Sequence, residues 1–168
     1  MQSHLFQYWG KADEKYVGAT SWHPLAYHCL DVAACGHVLL KTQPAWLTSL
    51  GRLSGVSLGD LPGWITFLLA LHDSGKFGDG FQSLRSDLWK TLQGRTEETR
   101  PGERHDTLGY ELLMENLPQW LNSPELARRG GQQMRPWLAA VTGHHGKPPK
   151  NLSTGDSRRL LRDHFPAQ

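Results

Sequence analysis

The chain has 168 residues, 38% of them hydrophobic and 20% charged, enough apolar material for one compact domain that needs no cross-links. Seven Trp and a hydrophobic share of this size exclude a disordered chain, and the longest apolar run, Trp64 to Leu71, falls far short of the ~20 residues of a membrane-spanning helix. Eighteen Lys and Arg against 16 Asp and Glu leave a net charge of +2, so no overall field marks a nucleic-acid binder and any polyanion site must be local. The start, Met1-Gln2-Ser3-His4, has no basic segment followed by an apolar one, so no secretory signal is expected and the expected location is cytoplasmic, without a membrane partner. Cys29 and Cys35, six positions apart on an expected helix, are too distant for a disulfide and are expected to be reduced packing residues.

In chain order, Pro24 suits the first turn of a helix, and Leu25, Val32, Cys35 and Leu39 recur behind it with helical spacing. Residues 24–40 are therefore predicted as an amphipathic helix with His28 inward and His37 outward. Asp60 and Pro62 open a second helix whose apolar residues, up to Leu71, cover nearly every face, which predicts a central, buried element. It is expected to stop at Asp73-Ser74-Gly75, with Gly75 in the left-handed conformation. From 85 to 104 the polar run around Gly94-Arg95-Thr96-Glu97 predicts a surface loop, and a third helix follows from His105 to Leu117. Pro118, Pro124 and Gly130-Gly131 punctuate the next stretch. Pro136 then opens a short helix through Val141, which ends near Gly143 and Gly146, and Pro148-Pro149 forbids its continuation. The basic stretch 147–162 (Lys147, Lys150, Arg158, Arg159, Arg162) is expected to be solvated surface. No repeat and no alternating strand is apparent, so the expected fold class is all-α.

Histidines mark where the chemistry would lie. A lone inward imidazole such as His28 is ordinarily a hydrogen-bonded core group. His72-Asp73, however, closes the most apolar helix, where an imidazole and a carboxylate are costly to bury without a partner. A cation is the natural partner, and a carboxylate can bridge two ions while the adjacent imidazole binds one. His105 begins its helix in register with Gly109 and Leu112, and His144-His145 is flanked by glycines. These four sites can converge if the helices pack as a bundle. His4, His23, His37 and His164 are assigned to the surface.

These residues carry a resemblance. His28, His72-Asp73-Ser74-Gly75-Lys76, His105 and His144-His145 occur in the order of the HD-domain metal-dependent phosphohydrolases. The surrounding strings Tyr8-Trp9-Gly10-Lys11, Tyr27-His28-Cys29-Leu30-Asp31, Ala70-Leu71-His72-Asp73, Phe81-Gln82 and Val141-Thr142-Gly143-His144-His145-Gly146 resemble the N-terminal HD nuclease domain of the CRISPR-associated helicase-nuclease of type I systems, most closely type I-E. The resemblance implies a single HD-domain helical bundle over 1–168, with a metal site between core helices. It implies a nuclease that cuts single-stranded DNA opened by the guide-RNA surveillance complex in antiviral defence, with a helicase normally following in the same chain. It also implies that His28, His72 and Asp73 surround one metal, that Asp73 bridges to a second held by His105, His144 and His145, and that Lys76 matches the lysine of the family's signature. The family's first site is completed by an aspartate well downstream of the paired histidines. Here only Asp156 and Asp163 follow, neither in an apolar helix, so a chain truncated on its C-terminal side with one weakened metal site is expected.

The chemistry such a site would supply is a deprotonated water and positive charge together, because a phosphodiester is anionic and resists an anionic nucleophile. Hydroxide held between metals would attack phosphorus, with His72, Asp73 and Lys76 as the catalytic set and Lys76 meeting the scissile phosphate or leaving oxygen. Imidazole-dominated ligands favour Mn, Fe, Co, Ni or Zn over Mg, with up to two ions. Lys147, Lys11 beside Trp9, and Arg158-Arg159 are candidate strand contacts, while most of the Trp residues are expected in the core. Two rivals remain: an HD phosphohydrolase of nucleotides, although Gly146-Lys147-Pro148-Pro149 after His145 departs from the cyclic-dinucleotide signature, and an impaired fragment that serves only as a docking module.

Overall fold

A computed structural model describes residues 4–13, 22–96, 102–122 and 132–165. Its architecture is helical, as expected, with one small addition. Strands β1 (Trp9–Ala12) and β2 (Trp22–Pro24) pair antiparallel, with Lys11 opposite His23 and an irregular register between Trp9 and Lys11. Strands this short show no alternating pattern in the sequence, which is why none was expected.

Helix α1 (Leu25–Thr42) begins directly after Pro24, as predicted. Its inward face is Leu25, His28, Cys29, Ala33 and Leu40, whereas Cys35 and Leu39 are exposed. Helical spacing misplaces those two because α1 also carries Tyr27, Leu30 and Val38 on its outer surface, so its apolar residues do not mark a single stripe. His37 is half-buried, its Nδ1 3.3 Å from Thr66 Oγ1, rather than pointing free into water. Helix α2 (Pro44–Ser54), absent from the sequence reading, starts on a proline and stops at Gly55, whose φ of 69° ends it.

Helix α3 (Leu61–Ala70) forms where predicted, yet only Leu61 and Leu68 are fully buried. The central helix is instead α6 (His105–Trp120), buried continuously from Asp106 to Glu111 and again at Leu113, Leu117 and Pro118. Between them lie a short 3₁₀ turn (Ser74–Phe77), α4 (Asp79–Gln82) and α5 (Ser86–Gln93). Helix α5 corrects the loop expected from 85: Leu88 and Trp89 bury one side of an otherwise polar segment, and Gly94 with φ 69° ends it. Pro118 lies inside the last turns of α6 rather than ending it.

Helix α7 (Arg135–Thr142) matches the short helix expected around Pro136. Helix α8 (Thr154–His164) was not foreseen; Ser153 caps its start by accepting from the Asp156 amide. Ser157 Oγ donates to Glu111 Oε2 at 2.6 Å and so fastens α8 to α6, leaving Arg158, Arg159 and Arg162 at the surface as expected. The expected punctuation at Pro124 and Gly130-Gly131, and residues 97–101 of the expected loop, lie outside the described residues. The core cluster joins Leu68, Tyr110, Leu113, Leu117, Met134 and Leu138, with Trp64, Phe67 and Trp137 packed against it; each fully buried leucine contributes about 2 kcal/mol. Of the tryptophans, Trp9 and Trp89 are buried, whereas Trp46 and Trp120 are exposed. Among the described residues, no helix is long and apolar enough to cross a membrane.

Candidate metal centre

The site forms where the chain turns out of α3 and presses against α6. Gly75 makes that approach possible: a Cβ there would overlap the His105 carbonyl oxygen and stand 2.6 Å from the Gly109 amide nitrogen. Gly109 answers it, since a Cβ on that residue would lie 2.9 Å from the Gly75 nitrogen. Gly75 does not adopt the left-handed conformation expected of it; its value is the missing side chain, which lets backbone meet backbone. Asp73 and His105 are thereby brought together from separate elements.

Asp73 is 1% exposed and stands at the centre. Its Oδ2 lies 3.0 Å from His28 Nε2, 3.1 Å from His72 Nε2 and 2.8 Å from Lys76 Nζ. Its Oδ1 faces the other way, 3.6 Å from His105 Nε2 and 3.5 Å from His144 Nε2. His105 and His145 approach each other with Nε2 atoms 3.1 Å apart. Two groups result, His28 with His72 and Asp73, and His105 with His144 and His145, and in each the donor atoms all lie within 4.8 Å of one another. All six residues singled out as ligands are therefore in one place.

Orientation is imposed by the neighbouring backbone. His72 Nδ1 donates to the Leu69 carbonyl at 2.8 Å and His144 Nδ1 donates to the Val141 carbonyl at 3.0 Å, which leaves each Nε2 lone pair directed at Asp73. Both Asp73 oxygens are buried, and despite the close ion-pair distances neither accepts a well-directed hydrogen bond. Buried oxygens ringed by imidazole lone pairs, without aligned donors, suit divalent cations, so the residues present fit the metal that the donor set suggests.

Lys76 departs from its expected post. It is buried, with Nζ against Asp73, 3.4 Å from the Gly10 carbonyl and 5.1 Å from the centre of the Phe81 ring, rather than standing at the mouth. Gln82, to which sequence reasoning gave no role, is fully buried and donates from Nε2 to the carbonyls of Trp9 and Lys76 at 3.0 and 2.7 Å, tying β1 to the turn. Asp106, also unanticipated, is 1% exposed, pairs with Arg104 and accepts from the Thr107 amide at 2.7 Å, which fixes the start of α6 beside His105. Neither polar core residue belongs to a periodic pattern; only the Phe81-Gln82 string pointed at one of them. Asp156 is engaged at the start of α8, and Asp163 is exposed beside Arg159 and Arg162, so neither completes the centre. His164 does not stand free either: its ring is packed against Gly80 and Gly102.

The sequence resembles that of known proteins. The family model described as Cas3, HD domain, matches residues 9–165. The chain belongs to the Cas3 HD domain family. It is 28% identical over 156 residues to the CRISPR-associated endonuclease/helicase Cas3 of Escherichia coli (strain K12), covering 85% of this chain and 18% of that protein. It is also 28% identical over 149 residues to the protein of the same name from Thermus thermophilus, covering 86% and 15%. The chain thus spans less than a fifth of the length of either relative. No solved structure matches it.

Burial in this Cas3 HD domain favours the neutral form of His28, His105 and His144. Burial lowers the pKa of His28 and His144 below the usual value, and burial followed by the Lys76 charge lowers His105 to about 4. Burial alone would raise Asp73, but the close approach of His72 and of the Lys76 ammonium outweighs it and holds the carboxyl well below the usual range. In the unfolded chain imidazoles bind protons near pH 6.5, before the folded ones do, so native stability is full above that value. It falls as pH drops from there toward about 4 for His105, and Asp73 extends the loss to lower pH. Metal-free protein should therefore melt at a lower temperature at about pH 5 than at about pH 7.5; an unchanged Tm would contradict the buried neutral imidazoles.

Removing Lys76 gives a second test. With side chains 10% and 1% exposed, Lys76 and Asp73 form a buried pair, and Lys76→Ala leaves the carboxylate without its cation. The metal-free variant should lose about 3 kcal/mol in a denaturant titration, with part restored by Mn or Zn. A midpoint equal to the parent's would show that the pair carries no weight.

Proposed function

We propose that this domain is a metal-dependent phosphodiesterase that cuts single-stranded DNA in CRISPR interference, acting on strand opened by a guide-RNA surveillance complex and normally alongside a helicase. The observation that carries this reading is the Asp73 carboxylate, with one oxygen facing His28 and His72 and the other facing His105 and His144. His28, His72 and Asp73 would hold one divalent ion, and Asp73 with His105, His144 and His145 a second. Imidazole-rich donors favour Mn, Fe, Co, Ni or Zn over Mg. Bound there, such ions supply Lewis acidity, lowering the pKa of water and offsetting phosphate charge.

The protein's own groups do the remaining work. The carbonyls of Leu69 and Val141 hold two imidazoles in the tautomer that directs Nε2 inward. Lys76 compensates the Asp73 charge and keeps the carboxylate ionised, ready to accept. A cavity of about 390 Å³ opens over the centre between β1, α1, α3 and α7, large enough for a nucleotide unit of a strand. Among the described residues, no side chain lining it is placed as a covalent nucleophile, and the titratable groups there are imidazoles, Asp73 and two lysines.

Incubating the Mn-loaded chain with single-stranded DNA, duplex DNA and a nucleotide panel tests the reading. Cleavage of the single strand, abolished in His72→Ala, is the expected result. Consumption of nucleotides with the strand left intact would replace it with a nucleotide phosphohydrolase.

A further inference from the structure

Among the described residues, the cavity over the centre is lined by two cations, Lys11 and Lys76. Lys76 is committed to Asp73 and the Gly10 carbonyl. Lys11 is exposed, and no ion pair engages it among the described residues. Its strand is nonetheless anchored on both sides. Trp9 is buried, its amide donating to Gln82 Oε1 at 3.1 Å and its indole to the Gln82 carbonyl at 3.0 Å. Gly10 lies flush on α1, where a Cβ would stand 2.8 Å from Leu25 Cα. The register irregularity between Trp9 and Lys11 then separates the buried indole from the exposed lysine. The result is a rigid base carrying one mobile ammonium over the mouth. Val32, Leu69, Ala140 and Val141 line the same cavity with apolar surface.

We propose that Lys11, rather than Lys76, is the side chain that receives the phosphate of the substrate strand at this mouth, with the sugar lying along the apolar residues. The assignment rests on the phosphodiesterase reading and adds the contact that reading lacks. An incoming phosphate meets Lys11 as an uncommitted charge, whereas to reach Lys76 it would have to break a buried ion pair.

The test uses the whole chain in EDTA, so that metal plays no part, with fluorescein-labelled oligothymidylate followed by anisotropy across a NaCl series. Lys11→Ala and Lys11→Gln should weaken binding about three- to tenfold and reduce the slope of log Kd against log salt by about 0.7, the share of one single-strand phosphate. Lys11→Arg should restore the slope, and circular dichroism and Mn content should match the parent in every variant. An unchanged slope in Lys11→Ala, or a loss that Lys11→Arg fails to restore, overturns the assignment while leaving the nuclease reading in place. A parent that neither binds nor cleaves the strand overturns both.

Discussion

Asp73→Asn is expected to reduce single-strand cleavage about a thousandfold or more, because the carboxylate is the one group shared by both halves of the centre. An amide keeps the shape but loses the negative charge and offers only one oxygen, so it cannot face both imidazole groups with an acceptor. The same change leaves the buried Lys76 ammonium without its counter-charge. Metal content per chain should fall together with activity, while helical circular dichroism persists with a lower Tm. Single-turnover cleavage and elemental analysis of the same preparation check this. His4→Ala, at an exposed position outside both ligand groups, serves as control and should match the parent. Cleavage retained in Asp73→Asn within about tenfold of the parent would remove the carboxylate from the active site.

Gly75→Ala should have the largest effect on stability, about 3 kcal/mol or more. The atoms that a Cβ would meet are the His105 carbonyl and the Gly109 amide, backbone groups that cannot step aside as a flexible side chain can. The turn at 74–77 must then move off α6, and the 3.6 Å approach of Asp73 to His105 widens with it. A lower urea midpoint and weaker metal binding should appear together. Gly63→Ala is the matched control, because a Cβ there meets nothing within 4 Å, and it should be neutral or stabilising by about 0.5 kcal/mol. Equal midpoints for the two variants would contradict the role given to the close approach.

The sequence revealed the site more fully than the fold around it. His28, His72, Asp73, His105, His144 and His145 were singled out because imidazole and carboxylate are costly at the ends and inner faces of core helices, and all six converge. The helices that start at Pro24, Pro62 and Pro136 were legible because a proline ring just before the helix, as at Pro24, or in its first turn, as at Pro62 and Pro136, is a local signal that survives whatever packs later. Depth was not legible. Helix α3 has the more apolar residues, yet α6 is the more buried, since burial depends on what packs on the far side and α6 meets the 74–77 turn, α7 and α8. Gln82 and Asp106 are hidden too: the burial of Gln82 is tolerated through Trp9, distant in sequence, and that of Asp106 through Arg104 and the Thr107 amide once α6 has formed. Lys76 reads from its position as a free cation just past a helix end, and only the fold shows it turned inward onto Asp73.

The most direct test of the account is the anomalous scattering of crystals grown with Mn, paired with elemental analysis of the same protein. The account predicts metal density within coordination distance of the Asp73 carboxylate, with His28 and His72 on one side and His105, His144 and His145 on the other. Protein that carries no metal at saturating Mn, or density bound to other residues while these six keep their present contacts, would contradict it.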